Sequence, residues 1–591
     1  MENSNIENIR HSLSHVLAMA VLELFPEAKL GIGPAVENGF YYDFDLPRNL
    51  APADISKLEQ KMREIINKDL PFEQSDIDKT EAKKLFKNQL YKIELIKDIP
   101  GEEVSIYTLG KRSLDSQTTL PRDDSSAVNF TDLCAGPHLD STKELKEIGW
   151  KLDKIAGAYW RGSEKNKMLQ RIYGLAFENK EGLNRYIEMT VEAEKRDHKK
   201  IGRDLDLFSF HPEAPGCPFW HKKGMILWNT LEQLGKDIRK KYGYIEIKTP
   251  LLAKNSLWIT SGHWDHYKES MFSFDVDGET YCLKPMDCPF NIKIFQTGQR
   301  SYKELPIRYT EIGRVYRKEK SGELNGLLRV SEITQDDSHI FLREDQIKTE
   351  VGNLIEMVKE FYGKLGLIPD FFFSTRPDDF IGEISVWDKA EADLKESLDA
   401  KNIKYGTKEK DGAFYGPKID VSAKDALGRS WQVATIQLDF QLPGRFKCEY
   451  IDEEGKFKTP VMIHAAVFGS FERMIGILTE HYAGAFPAWL APVQVIVLPI
   501  AERHNEYAEK ISKTLEHAGI RVQTDNRNES IGKKIRESEM QKVPFMLIVG
   551  DKEMDAGKVA VRKYGQNHAE RGEGDEGVMD ISEIIHSLNN L

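Results

Sequence analysis

The sequence predicts a multidomain protein of the α+β class, and three observations lead to that prediction. At roughly 150 residues per domain, a chain of 591 residues has room for about four domains. The segment from Leu305 to Leu342 has the pattern strand, polar loop, strand, which is typical of an antiparallel hairpin. Residues 491–591 alternate strand and helix patterns, which indicates a small α/β domain with a parallel or mixed sheet.

The composition excludes several classes of protein. Charged residues make up 30% and hydrophobic residues 40% of the chain, as in soluble globular domains. With a net charge of −12, the protein can bind nucleic acid only through local basic patches. Five scattered cysteines argue against a disulfide framework and for a reducing compartment, so we expect a cytoplasmic protein. The N-terminus lacks the apolar segment of a signal peptide, and no apolar run approaches about 18 residues, so no membrane partner is expected.

The N-terminal part carries two pairs of potential metal ligands. The helix pattern HSLSHVLAMAVLELF places His11 and His15 on one face, because they are four residues apart. The motif is not HExxH, so a zincin protease is disfavoured. Cys134 and His138, again four apart, follow a predicted strand in a Gly-Pro turn. These four side chains can form a metal site, or they can line a hydrolytic pocket without metal.

Helix patterns connect the N-terminal part to the rest of the chain. Amphipathic helices are predicted over Ala53–Lys68 and Thr80–Asn88. The charged stretch over residues 179–208 predicts a single linker helix. A longer helix, MILWNTLEQLGKDIRKKYG, then precedes a short strand that ends at Pro250.

The hairpin from Leu305 to Leu342 concentrates groups that bind small polar ligands. Arginine forks match phosphate oxygens, carboxylates and amides read polar ligands, and a neutral imidazole can bind a metal. A solvated hairpin with surface ion pairs is the alternative, and it is the commoner role of charged loops. The hairpin residues concerned are Arg317, Glu319, Arg329, Gln335, Asp336, Asp337 and His339.

The order of the segments resembles that of class II aminoacyl-tRNA synthetases. The helix and strand before Pro250 match the first motif, Arg317-Lys318-Glu319 matches the second, and the segment GSFER ending at Arg473 matches the third. HSLSH and CAGPH resemble the editing domain shared by threonyl- and alanyl-tRNA synthetases. The other segments are similar to those of threonyl-tRNA synthetases, and no HIGH, KMSKS, P-loop or GxGxxG segment is present.

This resemblance covers nearly the whole chain and implies its organisation and activity. It implies an α+β editing domain over residues 1–178, a linker helix over 179–208, a catalytic domain with an antiparallel sheet over 209–490, and an α/β anticodon-binding domain over 491–591. The implied activity is ATP-dependent ligation of L-threonine to tRNA(Thr) through threonyl-adenylate, with hydrolytic editing of mischarged seryl-tRNA. A homodimer, a zinc ion and Mg²⁺ accompanying ATP are also implied.

The resemblance further implies an ATP site made by the second and third motifs. Arg317 would hold the α-phosphate and the threonine carboxylate, where charge develops during activation. Arg329 and Arg473 would hold the γ-phosphate, with Arg473 also stacking on adenine. Glu319 would read the adenine amino group, and Gln432 is a further implied ATP contact.

The resemblance also implies a zinc site that selects threonine. The residues that match the zinc ligands of the family are Cys288, His339 and His464. Three protein ligands leave room for the amine and hydroxyl of threonine, and valine lacks that hydroxyl. Lys418 and His263 are implied catalytic residues, His263 matching a residue that helps to deprotonate the terminal ribose. The residues implied to bind threonine are Gln335, Asp337, Tyr415 and Gln437, and Thr435 matches a further binding position of the family.

Serine also carries a hydroxyl and fits the same site, so the resemblance gives the N-terminal pocket a function. His11, His15, Cys134 and His138 would hydrolyse seryl-tRNA there, and we expect no metal in that pocket. The implied anticodon contacts are Asn528, Arg536, Glu553 and Arg562. The basic edge around them also includes Arg527, Lys533 and Lys534.

The sequence departs from the family pattern at several places. The chain starts almost at HSLSH, so we expect the small N-terminal domain usual in bacterial members to be missing. The usual CPGH is Cys288-Pro289-Phe290-Asn291 here, and Ala465 stands where Arg is common. The segment from Leu109 to Val128 is long and is interpreted as a surface insertion.

Two other functions stay open at this point. One is a regulatory paralogue with an inactive catalytic site, which we would expect to have lost Arg317, Arg473 or a zinc ligand. The other is a metallohydrolase centred on the N-terminal His and Cys pairs, which leaves most of the chain unexplained.

Overall fold

The structure, a computed structural model, describes residues 2–110, 130–565 and 575–589. The chain divides into two units, residues 1–191 and 192–591. Among the described residues, no helix combines the length and the apolar character needed to cross a membrane. From residue 111 onward, the predicted surface insertion lies outside the described residues.

The first unit packs its helices on two antiparallel sheets. The long helix α1 is buried over residues 12–22, because it contacts α2 and β3 in the core. The sheets have the orders β1-β3-β8-β7, with β2 paired to β3, and β4-β5-β6. The helices are α1 (Glu2–Leu24), α2 (Pro52–Asn67), α3 (Lys79–Leu85), α4 (Leu90–Asp98) and α5 (Lys180–Lys195), which extends past the unit boundary. The strands are β1 (Lys29–Leu30), β2 (Ala35–Val36), β3 (Gly39–Asp45), β4 (Phe72–Asp78), β5 (Glu103–Leu109), β6 (Phe130–Leu133), β7 (Gly149–Tyr159) and β8 (Met168–Phe177).

Two sequence expectations need correction in this part of the chain. The helix predicted over Thr80–Asn88 ends at Leu85, and α4, which the sequence reading missed, follows it. The linker over residues 179–208 is two helices, because the chain breaks at Asp197, whose carboxylate accepts the backbone N–H of Lys199 at 2.7 Å and caps a second helix. Because the surrounding residues are also charged, the sequence alone did not identify Asp197 as a helix N-cap.

The second unit is built on an eight-stranded sheet of order β11-β16-β17-β24-β21-β20-β18-β19. Only the β11–β16 and β18–β19 pairs of this sheet are parallel. The core on one face combines side chains of α7, α11, α12 and α14. The helices are α6 (His198–Asp204), α7 (Lys222–Lys241), α8 (Asn255–Ser261), α9 (His263–Tyr267), α10 (Cys288–Phe295), α11 (Ile347–Lys364), α12 (Ile384–Ala400), α13 (Leu442–Arg445) and α14 (Phe471–His481). The strands are β9 (Phe208–Ser209), β10 (Phe219–Trp220), β11 (Ile245–Glu246), β12 (Leu252–Lys254), β13 (Ser273–Val276), β14 (Glu279–Leu283), β15 (Arg300–Ser301), β16 (Ile307–Tyr316), β17 (Glu332–Leu342), β18 (Pro369–Ser374), β19 (Tyr405–Lys408), β20 (Lys418–Lys424), β21 (Ser430–Asp439), β22 (Tyr450–Ile451), β23 (Phe457–Lys458) and β24 (Val461–Ser470).

The predicted hairpin is the β16–β17 pair, with one correction. The loop between the strands extends further than a simple turn, because Leu327 and Leu328 lie in a 3₁₀ turn over Gly326–Leu328, and β17 begins only at Glu332. Both leucines are buried where the turn packs on α14. Their apolar character therefore reflects packing of the loop and not strand pairing.

The C-terminal part of the second unit forms a mixed five-stranded sheet of order β26-β25-β27-β28-β29. β25 is parallel to β26 and β27, whereas β28 is antiparallel to β27 and β29. This confirms the predicted α/β arrangement, although β29 and α17 were not predicted. The elements are β25 (Val495–Pro499), α15 (Asn505–His517), β26 (Val522–Thr524), α16 (Ile531–Met540), β27 (Phe545–Val549), α17 (Asp551–Ala556), β28 (Val559–Lys563), β29 (Asp575–Met579) and α18 (Ile581–Asn589).

Candidate active site

Strand register in the large sheet brings distant sequence segments into one row. Lys418 on β20 lies opposite Gln437 on β21, Gln437 lies opposite His464 on β24, and His464 lies opposite His339 on β17. Directly opposed residues of antiparallel strands point to the same face. One step along the same face, the row is Asp420, Thr435, Ala466 and Asp337.

Two residues of the first row, His339 and His464, lie close to Cys288 at the start of α10. Cys288, His339 and His464 are all buried, and one potential ligand atom from each lies within 4.8 Å of the others. The rings of His339 and His464 meet edge to face, with centroids 4.9 Å apart. Nε2 of His464 lies 2.9 Å from Oδ2 of Asp439, which leaves Nδ1 as the nitrogen available to a metal.

The donor set of this cluster fits a zinc ion. One thiol and two imidazoles are typical zinc ligands, and three of them leave a fourth position open. Burial, followed by the charge of His464, lowers the pKa of His339 well below its usual value, so this imidazole is neutral and keeps a lone pair. Burial raises the pKa of the Cys288 thiol, so binding of the ion would have to displace a proton.

The same cavity, of about 470 Å³, contains Arg317 of the second motif, Arg329 of the hairpin loop and Arg473 of the third motif. Nε of Arg473 donates to the carbonyl of Leu328 at 3.0 Å. Burial, followed by the charges of Arg329 and Arg317, lowers the pKa of Arg473, which shows how closely these cations are grouped. Such a cluster would be stabilised by a polyanion.

The arginine of the hairpin loop has carboxylate partners. Arg329 donates to Glu319 at 2.8 Å and to Glu323 at 2.9 Å, and its own side chain is 47% exposed. A ligand that contacts Arg329 and Glu319 separately must therefore break the ion pair between them. Because exposed ion pairs contribute little free energy, this reduces the binding affinity only slightly.

A second group of polar residues on the cavity wall lies beside the Cys–His cluster. Tyr415 donates to Gln437, and Gln437 donates to Thr435 at 3.2 Å. Burial and the neighbouring Asp287 carboxylate raise the pKa of Asp337. Asp287 also lies 2.6 Å from the buried Lys284 ammonium. Gln335 lines the same wall.

Two predicted residues, His263 and Lys418, are not among the residues that line the cavity. His263 is fully buried, its Nε2 lies 3.9 Å from the sulfur of Cys288, and Nδ1 lies 2.8 Å from Ser261 Oγ. Burial, followed by the charge of His464, lowers the pKa of His263 to about 3. Lys418 lies 3.1 Å from Asp420.

Asp420 is a residue that the sequence reading missed. It is completely buried, accepts from Gln432 at 2.7 Å and from Ser374 at 3.0 Å, and pairs with Lys418. One carboxylate therefore fixes two predicted site residues. A signal was present, because Asp420 follows Lys418 at the spacing that puts both on one face of a strand.

The departures from the family pattern at Phe290 and Asn291 are part of the packing of α10. Phe290 meets Trp258 edge to face at 5.7 Å, and the amide of Asn291 donates to the carbonyl of Asp287 at 3.1 Å. Ala465 belongs to the core on the helix-covered face of the sheet.

The four predicted N-terminal residues form a second cluster, in the first unit, where the resemblance implies an editing pocket. Nε2 of His11 and Nε2 of His138 each lie 3.3 Å from the sulfur of Cys134, and the rings of His15 and His138 lie 4.4 Å apart. Burial is the main cause that lowers the pKa of each of the three imidazoles. Burial also raises the pKa of Cys134 to about 11. Near neutral pH the pocket therefore contains neutral imidazoles and a protonated thiol.

This second pocket is supported by residues that the sequence reading did not identify. Asp132 is buried and pairs with Lys92 at 2.6 Å, and it accepts from Tyr42 at 2.5 Å. Oδ2 of Asp132 lies 3.9 Å from Nε2 of His15. Asp132 was detectable as a lone acid in the apolar strand FTDL, whereas Lys92 lies on α4, the helix that was not predicted.

The C-terminal residues expected at the anticodon differ in their exposure. Asn528 and Arg536 are exposed, Glu553 accepts the backbone N–H of Gly550 at 2.9 Å, and Arg562 pairs with Glu539 at 2.8 Å.

Two members of the predicted basic edge make contacts within the domain, and one of them, Lys534, is not at the surface. Lys534 is buried, because Nζ donates to the carbonyls of Pro499 and Asp525, both at 2.9 Å. Arg527 is paired with Asp525 and Glu537. These cations stabilise the domain and leave a weaker positive edge than the sequence suggested.

Comparisons with known proteins identify related domains along most of the chain. The profile of the tRNA synthetase class II core domain (G, H, P, S and T) matches residues 271–482, that of the anticodon binding domain matches 494–591, and that of the threonyl and alanyl tRNA synthetase second additional domain matches 104–173. The threonine–tRNA ligases of Carboxydothermus hydrogenoformans and Desulforamulus reducens are each 50% identical to this chain, over 98% of its length and 88% of theirs. A crystal structure described as the RNA binding domain of threonyl-tRNA synthetase from Cryptosporidium parvum Iowa II is 40% identical, with a TM-score of 0.64, and the match covers 67% of this chain and 98% of that one. The chain therefore belongs to the threonyl-tRNA synthetases, the class II threonine–tRNA ligases that carry an editing domain.

Proposed function

We propose that the protein joins threonine to AMP in the cavity that contains the three arginines and the Cys–His cluster, before transfer to tRNA(Thr). A carboxylate oxygen of threonine attacks the α-phosphorus of ATP, the bond to the bridging oxygen breaks, and diphosphate leaves. The terminal ribose hydroxyl of tRNA then attacks the threonyl carbonyl, and AMP leaves. One observation carries the proposal: the arginine cluster and the Cys–His cluster line the same cavity.

The arginines provide the ATP half of this proposal. Arg317 would hold the α-phosphate, where negative charge develops in the transition state. Arg473 and Arg329 would hold the γ-phosphate, which relieves the mutual repulsion of these cations. Glu319, released from Arg329, would accept from the adenine amino group, and Gln432 would contact ATP from β21. Mg²⁺ would enter with ATP as part of the nucleotide substrate.

The Cys–His cluster and its neighbours provide the threonine half. Cys288, His339 and His464 would hold a zinc ion, which when bound offers open coordination positions to the amine and hydroxyl of threonine. Asp337, whose pKa is raised by burial and by the neighbouring Asp287 carboxylate, would accept a hydrogen bond from the metal-bound amine or hydroxyl of threonine. Tyr415, Gln437 and Gln335 would fix the rest of the substrate by hydrogen bonds. Valine lacks the hydroxyl and would leave these polar groups unpaired.

The roles of Lys418 and His263 complete the catalytic proposal. Lys418, oriented by Asp420, would approach the developing phosphoryl charge. His263 is neutral and can accept a proton from the ribose hydroxyl, but its side chain is fully buried. This role therefore requires the segment around α9 to open when the tRNA end enters.

The second pocket would hydrolyse seryl-tRNA. Its neutral imidazoles can accept a proton from water, and the protonated Cys134 thiol can donate a hydrogen bond but is a poor nucleophile. We therefore assign water activation to the histidines His11 and His15, and a positioning role to Cys134 and His138. Lys92 and Asp132 would keep this group in place.

We further propose a homodimer and the cytoplasm as the place of action. β11 is the edge strand of the large sheet, and Ile245 on it is 54% exposed. Leu251 and Leu252, which follow in the sequence, are 39% and 44% exposed. An exposed apolar strand edge is a usual site of pairing between chains. Light scattering of the protein as it elutes from a size-exclusion column is expected to give twice the mass of one chain. The mass of a single chain would contradict the proposed homodimer.

We also propose that the C-terminal sheet reads the anticodon. Asn528 and Arg536 are exposed and can reach unstacked bases, whereas Arg562 must first leave Glu539. Glu553 would use the carboxylate oxygen that does not cap α17.

Amino-acid-dependent exchange of labelled diphosphate into ATP tests the proposed activation. We expect exchange with threonine in the absence of tRNA, weaker exchange with serine and about a hundredfold less with valine, because the hydroxyl is the discriminating group. Exchange with valine at the threonine rate would overturn the proposed selection, and absence of exchange without tRNA would overturn a free adenylate intermediate.

Asp420→Asn is expected to slow threonine-dependent exchange about ten- to hundredfold, because Lys418 loses its buried charge partner and Gln432 meets an amide donor. Asp370→Asn on the neighbouring strand is the matched control. Asp370 pairs with Lys424 at 3.7 Å, and both side chains are about half exposed. The control should stay within about twofold of the parent rate, and equal losses in both variants would remove Asp420 from this role.

A further inference from the structure

A buried histidine outside both sites connects α6 to the ATP-side loop. His198 is 1% exposed, and its backbone N–H and Nδ1 both face Oε1 of Glu480 on α14, at 3.2 and 2.6 Å. Nε2 lies 3.0 Å from the backbone nitrogen of Leu327, in the loop between β16 and β17. The ring therefore joins three separate elements of the second unit.

The hydrogen bonds fix which nitrogen carries the proton. The Leu327 N–H can only donate, so Nε2 of His198 accepts, and Nδ1 must carry the proton and donate to Glu480. The second oxygen of Glu480 accepts from Arg429 at 2.5 Å. Although Asp197, His198 and Glu480 are grouped closely enough for a metal site, both ring nitrogens of His198 are already used, so the group is not a metal site.

The loop is shaped to receive this ring. Gly326 has φ +50°, and a Cβ at that position would lie 2.2 Å from Nε2 of His198. The neighbouring Lys199 on α6 donates to Asn325 at 3.1 Å, which is a second contact with the same turn. On the other side, Leu327 and Leu328 pack against Gly476 of α14. Each contact restricts where the turn can lie.

The turn held in this way sets the position of two arginines. The backbone N–H of Leu327 donates to His198. The carbonyl of the next residue, Leu328, accepts a hydrogen bond from Nε of Arg473. Arg329 is the next residue along the chain. A shift of the turn would therefore move Arg473 through its hydrogen bond and Arg329 through the backbone. Within the described part of the chain, none of the residues proposed for the threonine half makes a hydrogen bond to this turn.

We propose that His198 is a positioning residue that orders the ATP-binding arginines by holding the turn at Gly326–Leu328. The inference rests on the ATP role proposed for Arg473 and Arg329. It predicts a defect in ATP binding that leaves threonine binding intact. A residue that only stabilises the fold would change both substrates together, or neither of them.

Two substitutions at His198 separate its two hydrogen bonds. An asparagine amide can replace Nδ1–H towards Glu480 but is too short to reach Leu327, whereas a glutamine side chain can place its carbonyl oxygen near the position of Nε2. We expect His198→Asn to raise the KM for ATP in exchange about tenfold, with the KM for threonine within about twofold of the parent value. His198→Gln should restore most of the ATP affinity.

Arg473→Gln and Gly326→Ala make the result decisive. If Arg473→Gln leaves the KM for ATP unchanged, the proposed ATP role fails and this inference fails with it. If Arg473→Gln raises that KM and His198→Asn does not, only this inference is overturned. Gly326→Ala places a Cβ against the His198 ring and forces the turn and the ring apart, although no residue of α6 is replaced. It should therefore also raise the KM for ATP, and the double variant with His198→Asn should have a KM no higher than that of the more affected single variant. If His198→Asn does not fold, an unchanged KM for ATP in Gly326→Ala overturns the inference by itself.

Discussion

Cys288→Ser is expected to reduce bound zinc from one ion per chain to nearly none and to abolish threonine-dependent exchange, a loss of more than about a hundredfold. A serine hydroxyl stays protonated at neutral pH and is a poor zinc ligand, so only His339 and His464 would remain. Metal analysis of the purified variant, together with the exchange rate at saturating threonine and ATP, measures both effects.

Cys448→Ser is the matched control for this variant. Cys448 is equally buried and belongs to the same apolar cluster as Cys288, but it is not part of the Cys–His group. It should lose some stability and retain both zinc and exchange. Full threonine activation by a Cys288→Ser protein that contains no metal would refute the zinc role.

The double substitution His11→Ala, His15→Ala is expected to leave threonine charging intact and to let seryl-tRNA accumulate. Loss of a general base typically costs about a hundredfold or more in rate, and we expect hydrolysis of preformed seryl-tRNA(Thr) to fall by that amount. The rate of deacylation, measured with seryl-tRNA(Thr) and catalytic enzyme, checks the prediction. Unchanged hydrolysis would count against the N-terminal pocket.

Each of these two variants is the control for the other. The pockets lie in different units of the chain, so damage to one need not spread to the other. Cys288→Ser should hydrolyse seryl-tRNA at the parent rate, and the His11, His15 variant should exchange diphosphate at the parent rate. Parallel losses in both assays would indicate general damage and not two separate sites.

The sequence predicted the members of the site better than their arrangement. Cys288, His339 and His464 are 51 and 125 residues apart, and no local pattern joins them. Their segments were identified by resemblance, and the structure groups the three residues through the pairing of β17 with β24 and the start of α10. Strand register is a property of the whole sheet, which is why spacing alone could not predict it.

What the sequence could not predict is mostly the partner of each predicted residue. Asp420, Asp132 and Lys92 are buried charges whose use depends on contacts between distant segments. Lys534 shows the opposite error, because a lysine in a charged helix pattern was expected at the surface and proved to bind buried carbonyls. The residue type gives the charge of a side chain, but it does not determine whether that side chain is buried.

Selection of threonine by direct contact with a metal held by Cys288, His339 and His464 can be tested by replacing the metal. Replacing zinc with Co²⁺ makes this contact visible, because the absorption bands of a thiolate-bound Co²⁺ respond to a change in its ligands. We predict that threonine shifts the bands of the cobalt protein, that serine shifts them similarly and that valine leaves them unchanged. A spectrum that threonine does not alter, or that valine alters equally, would contradict the claim.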